Sequence, residues 1–161
     1  MAVARRASGG AMEFGVLGPL EVWSGDRPVR VDAPMQRTLL AGLLLHANQV
    51  VPVEQLVDYL WGQAPPPSAR VTLQNYVLRL RRLLPQPAAG HAHQLLVTRA
   101  PGYLIRLQPQ ELDLDRFERL LAAARASAAQ EQFQRAASLL RDALALWRGP
   151  PLCDITSEAL R

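Results

Sequence analysis

Proline and glycine punctuate this chain so closely that only short regular elements fit between the breaks. Gly18-Pro19, Gly25-Asp26, Pro65-Pro66-Pro67, Pro85, Pro87, Pro101-Gly102, Pro109 and Gly149-Pro150 all carry turn or stop chemistry. Proline fixes φ and lacks an amide donor, and glycine reaches backbone conformations closed to other residues. Residues 12–17, 20–24 and 27–31 are three short strand candidates, which predicts a small antiparallel meander. A first helix follows over 34–46, with Pro34 in its first turn and Leu39, Leu40, Leu43 and Leu44 at helical spacing. A second helix over 53–61 has an apolar face of Val53, Leu56, Val57, Leu60 and Trp61 and ends at Gly62. Ser68 stands where an N-cap is expected for a third helix, which runs to about Leu84. The strand-like stretches 94–98 and 103–107 are joined by Arg99-Ala100-Pro101-Gly102, a hairpin turn.

Composition shifts beyond Pro109. Asp113 is positioned to cap a helix over 114–128, and a second alanine-rich helix spans 132–147. Phe117, Leu120, Leu121, Leu140, Leu144 and Trp147 fall at the spacing of a core for this pair. One such pair, of the kind stacked in helical solenoids, cannot bury both of its faces alone. The expectation is a truncated solenoid or a pair that docks on the preceding domain.

Charge is distributed unevenly. Residues 59–110 contain six arginines and none of the chain's fourteen acids. Cations without acidic neighbours attract a polyanion more readily than they stabilise a fold. The net charge of +4 and pI of about 10.2 agree with an anionic partner. No lysine occurs at all, so every contact that calls for a lysine or arginine falls to arginine, which suits bidentate pairing.

Placed on a wheel, the third helix turns Leu73, Val77, Leu80 and Leu84 to one side, within about 60° of one another. Thr72, Asn75, Arg79 and Arg82 fall roughly opposite. Asn pairs with an adenine edge and Arg with a guanine edge in the major groove. Thr72, Asn75 and Arg79 are therefore the expected base contacts. Arg70, Tyr76 and Arg81 flank the face and are expected on phosphates, joined by Arg82 at the far end of the helix. Arg99, on the hairpin turn, is placed to enter a minor groove. Read without reference to a partner, the same residues describe a solvated helix face and a solvated turn.

Other chemistry is poorly supported. Cys153 is the single cysteine, so neither a disulfide framework nor a multi-cysteine zinc site can form within the chain, as fits a reducing cytoplasm. His91 and His93 supply two ligands, too few to close a zinc site. Ser8 has no neighbouring base, and no acid, base and nucleophile combine into a catalytic constellation. No enzyme, cofactor or metal is expected. No stretch has the apolar length of a membrane span, and the first eleven residues lack a signal peptide's apolar region. They read as a disordered extension, with Met12 an alternative start.

Three strands, three helices and a terminal hairpin form a winged helix of the OmpR type. The segments "FGVLGPLEVW", "QRTLLAGLLLHANQVVPVEQLVDYLWG", "LQNYVLRLRRLL" and "TRAPGYLIRL" resemble the antibiotic regulatory (SARP) family of actinobacterial activators. "FERLLAAARA" and "AASLLRDALALWRGPPLCDI" resemble the start of that family's bacterial transcriptional activation domain. The resemblance runs from Met12 to Ile155. It implies an α+β winged-helix domain over 12–108, followed over 109–161 by the first helix pair of a tetratricopeptide-like activation domain. It also implies that the third helix reads the major groove and the hairpin is the wing. Binding to double-stranded DNA would be to direct repeats as a head-to-tail dimer. RNA polymerase holoenzyme would be the protein partner, a secondary-metabolite gene cluster the target, and the nucleoid of the cytoplasm the location. The chain departs from the larger members in lacking G-x-x-x-x-G-K-[ST], and only one helix pair of the activation domain is present. A protein-interaction module gripping an acidic partner is the alternative from another class.

Overall fold

The computed structural model describes residues 12–84 and 94–160. The expected N-terminal extension, the stops at Pro85 and Pro87, and the His91/His93 loop lie outside the described residues.

Strands β1 (Met12–Gly15), β2 (Glu21–Ser24) and β3 (Arg27–Pro28) form the antiparallel meander in the order β1-β2-β3. Its turns fall where Gly18 and Gly25 take positive φ of 151° and 56°. Helix α1 (Pro34–Leu45) is buried on most sides, with Leu39, Leu40, Leu43 and Leu44 wholly inaccessible. Such a helix forms the centre of a domain rather than lying across its surface. Helix α2 (Val53–Trp61) keeps the span read from the sequence. Gly62 closes it at φ 57°, donating its N–H to the Asp58 carbonyl at 2.7 Å. Helix α3 (Ala69–Leu83) follows the proline run. Its N-cap residue is Ser68, but the serine side chain makes no capping bond.

Strand β4 (Val51–Pro52) did not show in the sequence pattern. It pairs antiparallel with β6 (Gly102–Ile105), which also pairs with β5 (Leu96–Arg99). The sheet order β4-β6-β5 places the hairpin beside the start of α2. A Cβ on Gly102 would lie 1.8 Å from the Val51 carbonyl oxygen, so glycine is what lets the two backbones approach. Asn48, at φ 64°, clamps the outgoing strand. Its side-chain amide donates to the Leu107 carbonyl, and its oxygen accepts the Leu107 N–H at 2.9 Å.

Helices α4 (Asp113–Ala129) and α5 (Phe133–Leu144) pack against each other through small side chains. Ala124, Ser127, Ala136 and Ala143 are buried, whereas Phe133, Leu140, Leu144 and Trp147 are exposed. Of the expected core of the pair, Phe117, Leu120 and Leu121 are half-buried beside this seam, whereas Leu140, Leu144 and Trp147 are exposed. Alanine allows a close helix–helix seam, and Leu140 and Leu144 stand exposed at its edge while Leu139 is half-buried. Phe117 meets Trp147 edge-on at 5.6 Å between ring centroids.

The pair docks on the first sheet. Leu112 begins α4 with no side-chain cap, and Asp113 is not the cap expected for it. Its buried carboxylate reaches across the chain to accept the N–H groups of Val16 at 2.8 Å and Leu17 at 3.1 Å, and Arg148 Nη2 at 3.0 Å. Arg148 also pairs with Glu21 at 3.1 Å and donates to the Pro19 carbonyl. Asp154 accepts the Leu20 N–H and pairs with Arg37. Ser157 donates its hydroxyl to the Tyr59 carbonyl on α2 at 2.7 Å. Leu112, Leu152 and Ile155 join the same hydrophobic cluster as Phe14, Leu40 and Leu56. One continuous core therefore runs through both parts of the chain.

Candidate nucleic-acid interface

Helix α3 buries Ala69, Leu73, Val77 and Leu80 against α1 and α2. Burial of that stripe fixes which side chains can meet a partner. Residues Val71, Asn75, Leu78 and Arg82 are exposed and lie within about 60° of one another, opposite the stripe. Arg79 is exposed beside them, and Thr72 is half-buried at the edge of the face. The helix carries no acid. Arg79 and Arg82 make no side-chain hydrogen bond or ion pair among the described residues, so both guanidinium groups are available to an anion.

The flanking residues are more engaged. Arg70 pairs with Glu54 of α2, an acid that lies just outside the acid-free window, and both side chains remain largely exposed. The Glu54 carboxyl is held below the ordinary carboxylate value, first by a backbone hydrogen bond and then by Arg70, against the opposing effect of burial. A phosphate competing for Arg70 must displace that carboxylate. Tyr76 is half-buried and stacks on Trp61, with ring centroids 6.3 Å apart. Arg81 turns toward the hairpin. Its Nε donates to the Leu96 carbonyl at 2.9 Å and its Nη2 to Thr98 Oγ1 at 2.8 Å. This contact locks the last turns of α3 to β5. Its role was not legible in the sequence, because spacing alone cannot show that the hairpin returns beside the helix.

Arg99 ends β5, exposed and paired across the ladder with Gly102. The structure thus brings Asn75, Arg79 and Arg82 together on one face, with Arg99 on the adjoining hairpin and Arg81 between the two elements. Sequence reasoning omitted Val71, Gln74 and Leu78, all exposed on α3. Among the described residues no group of His, Cys, Asp and Glu could hold a metal, and no helix is long and apolar enough to cross a membrane.

Two family models match the chain. "Transcriptional regulatory protein, C terminal" covers residues 28–105, and "Bacterial transcriptional activator domain" covers residues 112–161. Transcriptional regulatory protein MoaR1 of Mycobacterium tuberculosis is 38 % identical over 156 residues, 96 % of this chain and 50 % of that protein. Regulatory protein DnrI of Streptomyces peucetius is 37 % identical over 148 residues, 89 % of this chain and 54 % of that protein. The chain therefore spans about half the length of these curated relatives. Among solved structures, Mycobacterium tuberculosis EmbR in complex with a low-affinity phosphopeptide superposes with a TM-score of 0.82 at 36 % identity. That match covers 89 % of this chain and 38 % of the other.

Proposed function

The chain belongs to the antibiotic regulatory (SARP) family of transcriptional regulators, and from that premise we propose that it binds DNA sequence-specifically through α3 and the β5–β6 wing. The observation that supports this most strongly is the acid-free exposed face of α3, with a hairpin fastened to its end by Arg81. A helix held on its apolar side presents its opposite face to the major groove, and the adjoining hairpin meets the flanking backbone and minor groove. Asn75, Arg79 and the half-buried Thr72 are assigned to base edges. Arg70, Tyr76, Arg81 and Arg82 are assigned to the backbone and Arg99 to the minor groove. Of these, Arg70 and Arg81 already have protein partners, so they position the reading elements as well as facing phosphates.

The DNA-binding domain occupies 12–108 and the first part of the activation domain 109–161, in line with the two family matches. Binding is to direct repeats as a head-to-tail dimer in the cytoplasm, at the nucleoid. The helix pair contributes to contact with RNA polymerase holoenzyme, and the output is activation of a secondary-metabolite gene cluster. The relatives are transcriptional regulators, and no catalytic step is assigned to this chain.

The test is selection of bound duplexes from a randomised pool at near-physiological salt. An enriched direct repeat is the expected result. Binding that only fades as salt rises, with no enrichment, would reduce the face to a non-specific cationic patch and favour an acidic protein partner.

A further inference from the structure

The face of α3 opposite the core is not simply polar. Val71 is 60 % exposed and Leu78 47 % exposed, on a stripe they share with Asn75 and Arg82. A β-branched valine in the first turn of a helix contributes little to helix propensity, and here it contributes nothing to the core. Isolated exposed apolar residues are common on protein surfaces. These two are not isolated: they stand seven residues apart on one line of the helix, with the amide of Asn75 between them and, beside them, the guanidinium groups of Arg79 and Arg82, which have no partner among the described residues. A face that is cationic, free of acid and punctuated by two aliphatic groups is complementary to a surface that is anionic at its rim and carries methyl groups on its floor. The major groove of B-DNA has that composition wherever thymine occurs, since the C5-methyl is the one apolar group a base pair presents there.

We propose that Val71 and Leu78 are specificity-determining residues that read thymine C5-methyl groups on either side of the base contacted by Asn75. The assignment rests on the DNA-binding reading of α3. Seven residues of helix span about 10.5 Å, so the two methyl contacts fall about three base pairs apart. Val71, in the first turn, meets the base nearer the helix N-terminus. Leu78 meets the one nearer the wing.

The test changes the DNA rather than the protein, so folding is not at issue. In the operator obtained by selection, each thymine is replaced in turn by deoxyuridine, which removes the methyl and keeps every hydrogen-bonding group. Two positions about three base pairs apart within one half-site should each lose about fourfold in affinity, the equivalent of ~0.8 kcal/mol for one buried methyl-sized group. The full chain carrying Leu78→Ala should lose thymine preference at one of them and Val71→Ala at the other, with the remaining positions read as before. An enriched operator that binds equally well with uracil throughout, or has no thymine at such a spacing, would overturn this assignment and leave the DNA reading intact. Failure to enrich any operator would overturn both.

Discussion

Replacing Asp113 by alanine removes the contact that fastens the helix pair to the first sheet. The wild-type carboxylate accepts two backbone N–H groups, from Val16 and Leu17, whose residues are each only 2 % exposed. Neither amide has water to turn to when the acceptor is lost. A buried donor left unsatisfied costs about 1–3 kcal/mol, so the two together account for most of the effect. The ion pair with Arg148 adds less, because the Arg148 side chain is 28 % exposed and keeps Glu21 and the Pro19 carbonyl. The expected loss is about 3–5 kcal/mol, a large share of the stability of a domain this size. Urea unfolding followed by tryptophan fluorescence measures it, with Trp147 reporting on the helix pair and Trp61 on the winged helix. A drop in the midpoint with early loss of the Trp147 signal is expected. Asp113→Asn, which retains one acceptor oxygen, should fall between wild type and alanine. A destabilisation below about 1 kcal/mol for the alanine variant would refute the argument, since it would mean that the two amides are readily satisfied elsewhere.

Arg79→Ala should weaken binding to the selected operator by about 1–3 kcal/mol and relax preference at one base pair, as read by competition with single-site operator variants; uniform weakening on all sequences would make it a phosphate contact. Arg81→Ala should loosen the wing by about 1–2 kcal/mol, visible as faster hydrogen exchange at Thr98 and Arg99; unchanged protection would refute its role in fastening the hairpin. Gly102→Ala forces a Cβ into the Val51 carbonyl and should destabilise by about 3 kcal/mol in thermal or urea unfolding, with near-wild-type stability contradicting the close approach. Burial raises the Glu111 carboxyl above its ordinary value, against the opposing bond from the Gln108 N–H. A group with a raised folded pKa favours the folded state most at low pH and loses that contribution as pH rises through the folded value. Glu111→Gln should therefore gain stability relative to wild type as pH rises above the ordinary carboxylate value of about 4, and parallel profiles would argue against it.

The helices of the winged domain were legible because their signals are local. Val53, Leu56 and Leu60 mark one face of α2, and Gly62 ends it at the expected residue. The turn residues likewise located the meander and the hairpin. What escaped depends on partners distant in sequence. Val51 and Pro52 become a strand only because β6 arrives beside them. Asp113 looked like a cap because Asp is common at helix starts, yet its partners lie 97 and 96 positions away. The α4–α5 seam was read only in part for a related reason. Leucine spacing indicates an apolar face but does not say which of its side chains the neighbouring helix covers: the small Ala124, Ser127, Ala136 and Ala143 are buried, and Leu140 and Leu144 on or beside that face stay exposed. At the interface, the wheel identified Asn75, Arg79 and Arg82, but attention to polar residues passed over Val71 and Leu78 on the same stripe.

The clamp of Asp113, Arg148 and Asp154 on the first sheet has a geometric consequence for regulation. It couples the direction of the exposed face of α5 to the direction of α3, which under the proposed function is aligned by the groove. Sequence position along the duplex then becomes an angle about it. B-DNA turns once in roughly 10–10.5 base pairs, so shifting an operator by about five rotates the apolar side of α5 to the opposite side of the helix axis. A regulator with a loosely tethered second domain would tolerate such a shift. Under the proposed function, the clamp at three points would convert promoter spacing into the presence or absence of a contact.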